Sequence, residues 1–159
     1  MCEKKKIEDN INKLKNEFTE LYNIKCKIDV MSPGAEHKPS KLINATKGVY
    51  IFFFNDICLK VGKSGPNSQA RWKYQHYNQS GAQSNLANSL LSVEDLSKKL
   101  NVNINEIESL NSNDIKQWII NNLFRVEVII ENVEEDFSVN LLEAFLLFKL
   151  KPIFEGNKQ

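Results

Sequence analysis

The sequence predicts an α+β domain: a small three-stranded antiparallel sheet flanked by helices, with an added helix at the amino terminus. Three patterns carry this. A β-branched and aromatic run over residues 48–54 is followed by a turn signal and a second strand-like run over 57–61. Residues 124–130, Phe-Arg-Val-Glu-Val-Ile-Ile, alternate at their start as a third strand does. Ile7, Ile11, Leu14, Phe18 and Leu21 recur at steps of four and three, the spacing of one helix face. A chain of 159 residues is long enough to enclose a single sizeable core.

In chain order, residues 3–23 are expected to form an amphipathic helix. Packing on the domain's own core is the commoner use of such a stripe; pairing with a partner helix or a second copy is the alternative, and three heptads are short for a free coiled coil. Met31-Ser32-Pro33-Gly34 breaks the chain, so residues 32–47 read as a mostly polar connection. Residues 1–47 are thus helix plus connection, and 48–159 form the main domain, with a helical insertion at about 80–123. Asn55-Asp56 supplies the turn of a hairpin between the first two strands. A loop over 62–68 leads into a helix starting near Ser68 that carries Arg71, Trp72 and His76. Residues 82–91 and 93–100 read as helices and 103–110 as a helical turn. Ser112-Asn113-Asp114 caps a helix bearing Ile115, Trp118, Ile119 and Leu123. Ser138 caps the last helix, whose Leu141, Leu142, Phe145, Leu146 and Phe148 nearly encircle it, the pattern of a buried helix; Pro152 ends it.

With 42% hydrophobic and 26% charged residues, the composition is that of a soluble globular protein. No apolar run approaches the roughly 20 residues that span a bilayer, and Met1-Cys2-Glu3-Lys4-Lys5-Lys6 is followed by no apolar stretch, so neither membrane insertion nor a secretory leader is expected. Three cysteines, an odd number without C-x-x-C spacing, argue against a disulfide framework or a cysteine zinc site and for a cytoplasmic protein. Lysines number 19, arginines 2 and asparagines 20, a bias expected of an AT-rich bacterial or phage genome. Arg71 and Arg125 therefore each need a reason, since lysine cannot supply a planar, two-pronged grip. Net charge is only +1 but unevenly spread: residues 57–93 hold four basic residues and no acid, while 94–136 hold ten acids against four bases. A basic side facing a polyanion is compatible with that division, although a lysine-rich stretch is more often simply solvated.

Glu143 lies in the apolar last helix, where a carboxylate costs several kcal/mol unless paired or metal-bound; a position on the helix's exposed stripe is the alternative. Gly48-Val49-Tyr50, then Lys60-Val61-Gly62, followed in order by Arg71, His76, Glu143, Lys151-Pro152 and Asn157, resembles the GIY-YIG nuclease superfamily over residues 48–157. The chain departs from that pattern at Lys60, which stands where the second tyrosine is expected, and at His76, five residues after Arg71 instead of one helical turn. Tyr74, Gln75 and His76 compete for that place, with His76 preferred because it can move protons near pH 7. Lys60 shares a face with Tyr50 only if the hairpin turn is three residues long or bulged, and the resemblance favours that geometry.

The resemblance implies a metal-dependent endonuclease that hydrolyses DNA phosphodiester bonds. Glu143 would bind one Mg²⁺ or Mn²⁺. Tyr50 would be the general base, helped by Lys60 or His76; Arg71 would clamp the scissile phosphate; and Asn157 would orient a phosphate or a loop. Lys63, Ser64 and Lys73 read as contacts to the nucleic-acid backbone. Trp72 is expected to anchor the core, Cys58 to pack inside, and His37 receives no role. The rival expectation is a catalytically silent DNA-binding or protein-interaction module of the same fold, for which Lys60 is the best sign.

Overall fold

The computed structural model describes residues 2–43, 46–65, 68–79, 86–92, 96–101, 111, 113–131 and 137–154. Helix α1, Glu3–Tyr22, buries Ile7, Ile11, Leu14 and Phe18, while Leu21 in its last turn stays exposed. Asn23 ends it in the left-handed region at φ 55°, with its N–H bonded to the Thr19 carbonyl.

The expected three-stranded sheet has a fourth strand. Cys26–Met31 forms β1, which pairs antiparallel with β4, Phe124–Ile130. Cys26, Ile28 and Val30 alternate with Lys27 and Asp29, so the period of a strand is present within residues 1–47, where only a helix and a connection are expected. A 3₁₀ turn at Gly34–Glu36 follows, within the stretch expected to be a connection. The hairpin consists of β2, Gly48–Phe54, and β3, Ile57–Ser64. The strand order is β1-β4-β2-β3, with every neighbouring pair antiparallel.

The hairpin combines a two-residue turn with a bulge. Phe54 pairs with Ile57 and Phe53 with Cys58, but Phe52 pairs with Lys60, so Leu59 is the extra residue. Asn55 takes the positive φ of 52° that the turn requires. Beyond the bulge Ile51 pairs with Val61 and Tyr50 with Gly62, which brings Lys60 onto the face of Tyr50.

Each face of the sheet carries its own core. Val49, Ile51, Val61, Val126, Val128 and Ile130 pack under α1 and under α6, Ser138–Leu150. On the other face Tyr50, Phe52 and Leu59 pack with α2, Gln69–Lys73, α3, Leu86–Ser92, and α5, Ile115–Asn122. A short helix, α4, Leu96–Leu100, contributes Leu100 to this second core. The expected turn at 103–110 lies outside the described residues. Before α5, Asp114 makes no side-chain cap; Asn111 Oδ1 instead accepts the N–H groups of Asn113 and Asp114.

Helix α6 is less enclosed than its composition suggests. Val139, Leu142 and Leu146 are buried, but Phe148 is 74% exposed and Phe137, just before the helix, is 78% exposed. The expectation that apolar residues all round it are covered does not hold: the sheet and α1, through Phe18 on Phe145, cover part of the helix, and Phe148 is left exposed. After Pro152 the chain returns to the sheet, where the N–H groups of Ile153 and Phe154 bond to the carbonyls of Cys58 and Leu59. No helix among the described residues is long and apolar enough to cross a membrane.

Candidate active site at the edge of the sheet

Two glycines create the space for the candidate site. Gly62 stands opposite Tyr50, and a Cβ there would lie 2.6 Å from the tyrosine's Cζ, so the phenol can cross β3 only because this position has no side chain. Gly48 does the same for Trp72: a Cβ would come within 2.8 Å of the indole.

Tyr50 is fully buried, with its ring centroid 4.3 Å from that of His76 and 5.9 Å from that of Trp72. Its hydroxyl oxygen accepts a hydrogen bond from Arg71 Nε at 3.3 Å. Arg71 itself is exposed at the surface of α2, so the pair joins a buried phenol to a solvent-facing guanidinium. Burial raises the Tyr50 phenol above its ordinary value. The Arg71 hydrogen bond and charge, then the charge of Arg125, pull it back, and the charge of Glu143 adds to the rise.

From the opposite face of the sheet, Glu143 on α6 meets Lys63 on β3 at 2.6 Å. Its side chain is 18% exposed and that of Lys63 is 40% exposed. Glu143 thus sits neither in a sealed core nor on an open stripe. The edge strand β3 is the common element: Tyr50 crosses it at Gly62, and the neighbouring Lys63 reaches Glu143.

Other predicted residues fall into different surroundings. Lys60, 2% exposed, is paired in register with Phe52, and its charge acts on His76. His76 is buried, and its Nδ1 accepts the N–H of Leu86 at 3.3 Å, which fixes the ring proton on Nε2. That Nε2 meets no partner among the described residues. Burial, with the charges of Arg125, Lys60 and Arg71, pushes the ring down to about 2. It therefore stays neutral near pH 7 and is a poor proton acceptor there. Ser64 is buried, and its hydroxyl donates to the Ser68 carbonyl at 2.9 Å, so it closes the loop after β3 instead of facing outward. Lys73 is half-buried at the end of α2. Asn157 lies outside the described residues.

The second arginine has a reason that the sequence did not disclose. Arg125 is fully buried beneath the rings of Tyr50, Phe52 and Trp72, its Cζ 5.2–5.6 Å from their centroids. Its Nε bonds to Glu127 at 3.0 Å, one terminal nitrogen to the Trp72 carbonyl at 2.6 Å, and the other to the Tyr77 hydroxyl at 3.2 Å. Glu127 also accepts from the N–H and hydroxyl of Ser40, whose carbonyl accepts from Trp72 Nε1. Trp72 is held at its carbonyl and its indole, and Arg71 precedes it directly.

His37 belongs to the same network. Its Nδ1 lies 2.8 Å from the Leu123 carbonyl, which can only accept, and its Nε2 lies 2.7 Å from the Tyr77 hydroxyl. Burial first, opposed by the Leu123 hydrogen bond and assisted by Arg125, pushes the imidazole down to about 4. A neutral ring leaves one polarity for the whole chain: Arg125 donates to Tyr77, Tyr77 to His37, and His37 to Leu123. The arginine's scarcity was the available signal for this network. His37 offered none.

Among the described residues no group of three or more His, Cys, Asp or Glu could hold a metal ion. Glu143 alone offers one carboxylate, partly open to solvent. That fits Mg²⁺ held through one carboxylate, waters and substrate phosphate, and not a resident site made wholly of protein ligands. Compared with protein-family models, curated proteins and solved structures, the chain matches none.

Proposed function

We propose that the protein is a metal-dependent endonuclease of the GIY-YIG type that hydrolyses DNA phosphodiester bonds at the β3 edge. The contact between Arg71 Nε and the Tyr50 hydroxyl across Gly62 carries this reading. It joins an exposed, permanently charged fork to the phenol that the resemblance makes the base.

Arg71 grips the scissile phosphate with its outward-facing donors as negative charge builds on the equatorial oxygens. Arg71 turning to the phosphate opens the buried Tyr50 Oη to the attacking water, and the phenolate takes the water's proton as the water oxygen bonds to phosphorus and the bond to the leaving oxygen breaks. Because burial raises the phenol, the base form grows with pH, and the rate is expected to climb through the alkaline range. Arg125 keeps positive charge near the phenol, and the charge of Lys60 acts on neighbouring His76. Neutral His76 walls the ring and keeps water from its inner side. Glu143 would hold the divalent ion, with Lys63 turning from the carboxylate to a substrate phosphate. When bound, Mg²⁺ or Mn²⁺ supplies charge neutralisation at the phosphate and leaving oxygen.

A silent DNA-binding module is the second reading, favoured by the Lys63 ammonium that already meets the Glu143 charge. Nicking of supercoiled plasmid with Mg²⁺ or Mn²⁺ separates the two. Cleavage by wild type, with a loss of at least about a hundredfold in Tyr50→Phe, Arg71→Ala and Glu143→Ala, supports the nuclease. Plasmid binding without any nicking supports the silent module. Equal nicking by all four proteins sinks the site.

A further inference from the structure

A pocket of about 170 Å³ opens beside the end of α2, and Tyr50 is not among the residues that line it. A cavity of about 150 Å³ accepts one benzene ring, so this space suits a single ring system. Tyr74, 61% exposed, forms one side of it; Lys73 and Lys116 bring ammonium groups from α2 and α5; and His37 with Tyr77 lies at its inner end. No acid is among the described residues that line it.

We infer that this pocket binds one nucleotide unit of the substrate strand, its base against Tyr74 and its phosphate between Lys73 and Lys116. The choice of a nucleotide over other aromatic anions rests on the nuclease reading. Position supports it: Tyr74 ends α2 three residues after Arg71, its N–H still bonded to the Ala70 carbonyl. A nucleotide adjoining the phosphate at Arg71 falls within reach.

The inner end of the pocket predicts how the base is held. Tyr77 already accepts from Arg125 and donates to His37, and both ring nitrogens of His37 are engaged. Those groups have no hydrogen bond left with which to tell one base edge from another. Stacking and charge, both tolerant of sequence, therefore dominate there, and the Asn78 amide is the one lining group among the described residues that is left to meet a base edge. The pocket is mainly a strand-positioning subsite.

The test is an amide NMR titration with deoxyadenosine 5′-monophosphate, run on wild type, Glu143→Ala, Tyr74→Phe and Tyr74→Ala. Saturable shifts at Tyr74, Asn78 and Lys116 are expected in the first three, with affinity about tenfold or more weaker in Tyr74→Ala. Deoxycytidine 5′-monophosphate should bind within a few-fold of the adenine nucleotide. Inorganic phosphate binding equally well would reduce the pocket to a plain anion site and overturn the inference, as would shifts confined to other residues or no saturable shift. Tyr74 is exposed, so its substitution leaves the core intact. The experiment needs no cleavage: nucleotide binding here without plasmid nicking retains the pocket and removes the nuclease, and nicking without nucleotide binding does the reverse.

Discussion

Under α1 and α6 the sheet meets little but hydrocarbon, whereas under α2, α3 and α5 it buries Lys60, Arg125, Glu127, His37, His76, Tyr50 and Tyr77. The first face needs only the right volume, because dispersion and area removed from water are tolerant of exchange among apolar side chains. The second needs each donor opposite its acceptor, because an unpaired buried charge or amide is costly. That is also the face that positions Arg71 and Tyr50. Its polar network is rigid where the candidate chemistry needs rigidity, and the hydrocarbon face contributes to the site only Glu143 and Lys63 at the β3 edge.

The largest effect should come from breaking the buried ion pair. Glu127→Ala leaves Arg125 without its counter-charge and the two Ser40 groups without an acceptor, and should cost about 3–5 kcal/mol in urea unfolding. Replacing both partners, Arg125→Met with Glu127→Leu, should cost less than Glu127→Ala alone. A double variant as unstable as the sum of the singles would mean that the two side chains do not interact, which would overturn the pairing.

A second contrast appears with pH. His76 and His37 have folded values of about 2 and about 4, against about 6.5 in the unfolded chain. Below 6.5 the unfolded chain binds protons that the folded one refuses. Their stabilising contribution is therefore complete above 6.5 and lost as pH falls, with both acting down to about 4 and His76 alone below that. Each adds a slope of about 1.4 kcal/mol per pH unit where only the unfolded form is charged. Urea unfolding at pH 7.5 and 5.0 should show this slope reduced in His37→Gln. On the other face, Ile11→Val should lose about 1 kcal/mol equally at both pH values.

The smallest effect belongs to the surface of the hydrocarbon face, where Lys149 on α6 pairs with Glu17 on α1. Lys149→Ala should shift stability by no more than about 1 kcal/mol, and high salt should erase most of the difference in unfolding midpoint.

Local periodicity made much of this architecture legible. α1, the β2–β3 hairpin, β4 and α6 each announce themselves within about ten residues. β1 is equally local: Lys27 and Asp29 are the exposed positions of its alternation, which is only six residues long. The face of Lys60 was not decided by the turn residues: the same Asn55-Asp56 turn gives either answer, and the bulge at Leu59 selects one. Of the candidate site, Tyr50, Arg71, Gly62 and Glu143 could be marked along the chain, but their surroundings could not. His37 finds partners 40 and 86 residues away, a separation that no sequence period encodes. Arg125 and Glu127, two apart on one strand, share a face by period alone, yet which side of the sheet is closed over them depends on α2 and α5.

The return of the chain to the sheet after Pro152 bears on self-association. An edge strand with bare carbonyls is a template for another copy's strand. Ile153 and Phe154 cover the carbonyls of Cys58 and Leu59, just where the bulge would otherwise leave them open. The start of β3 is thereby closed to strand addition. Removing this cover would do more than shorten the chain: it would expose a part of the β3 edge that the protein's own backbone protects against polymerisation.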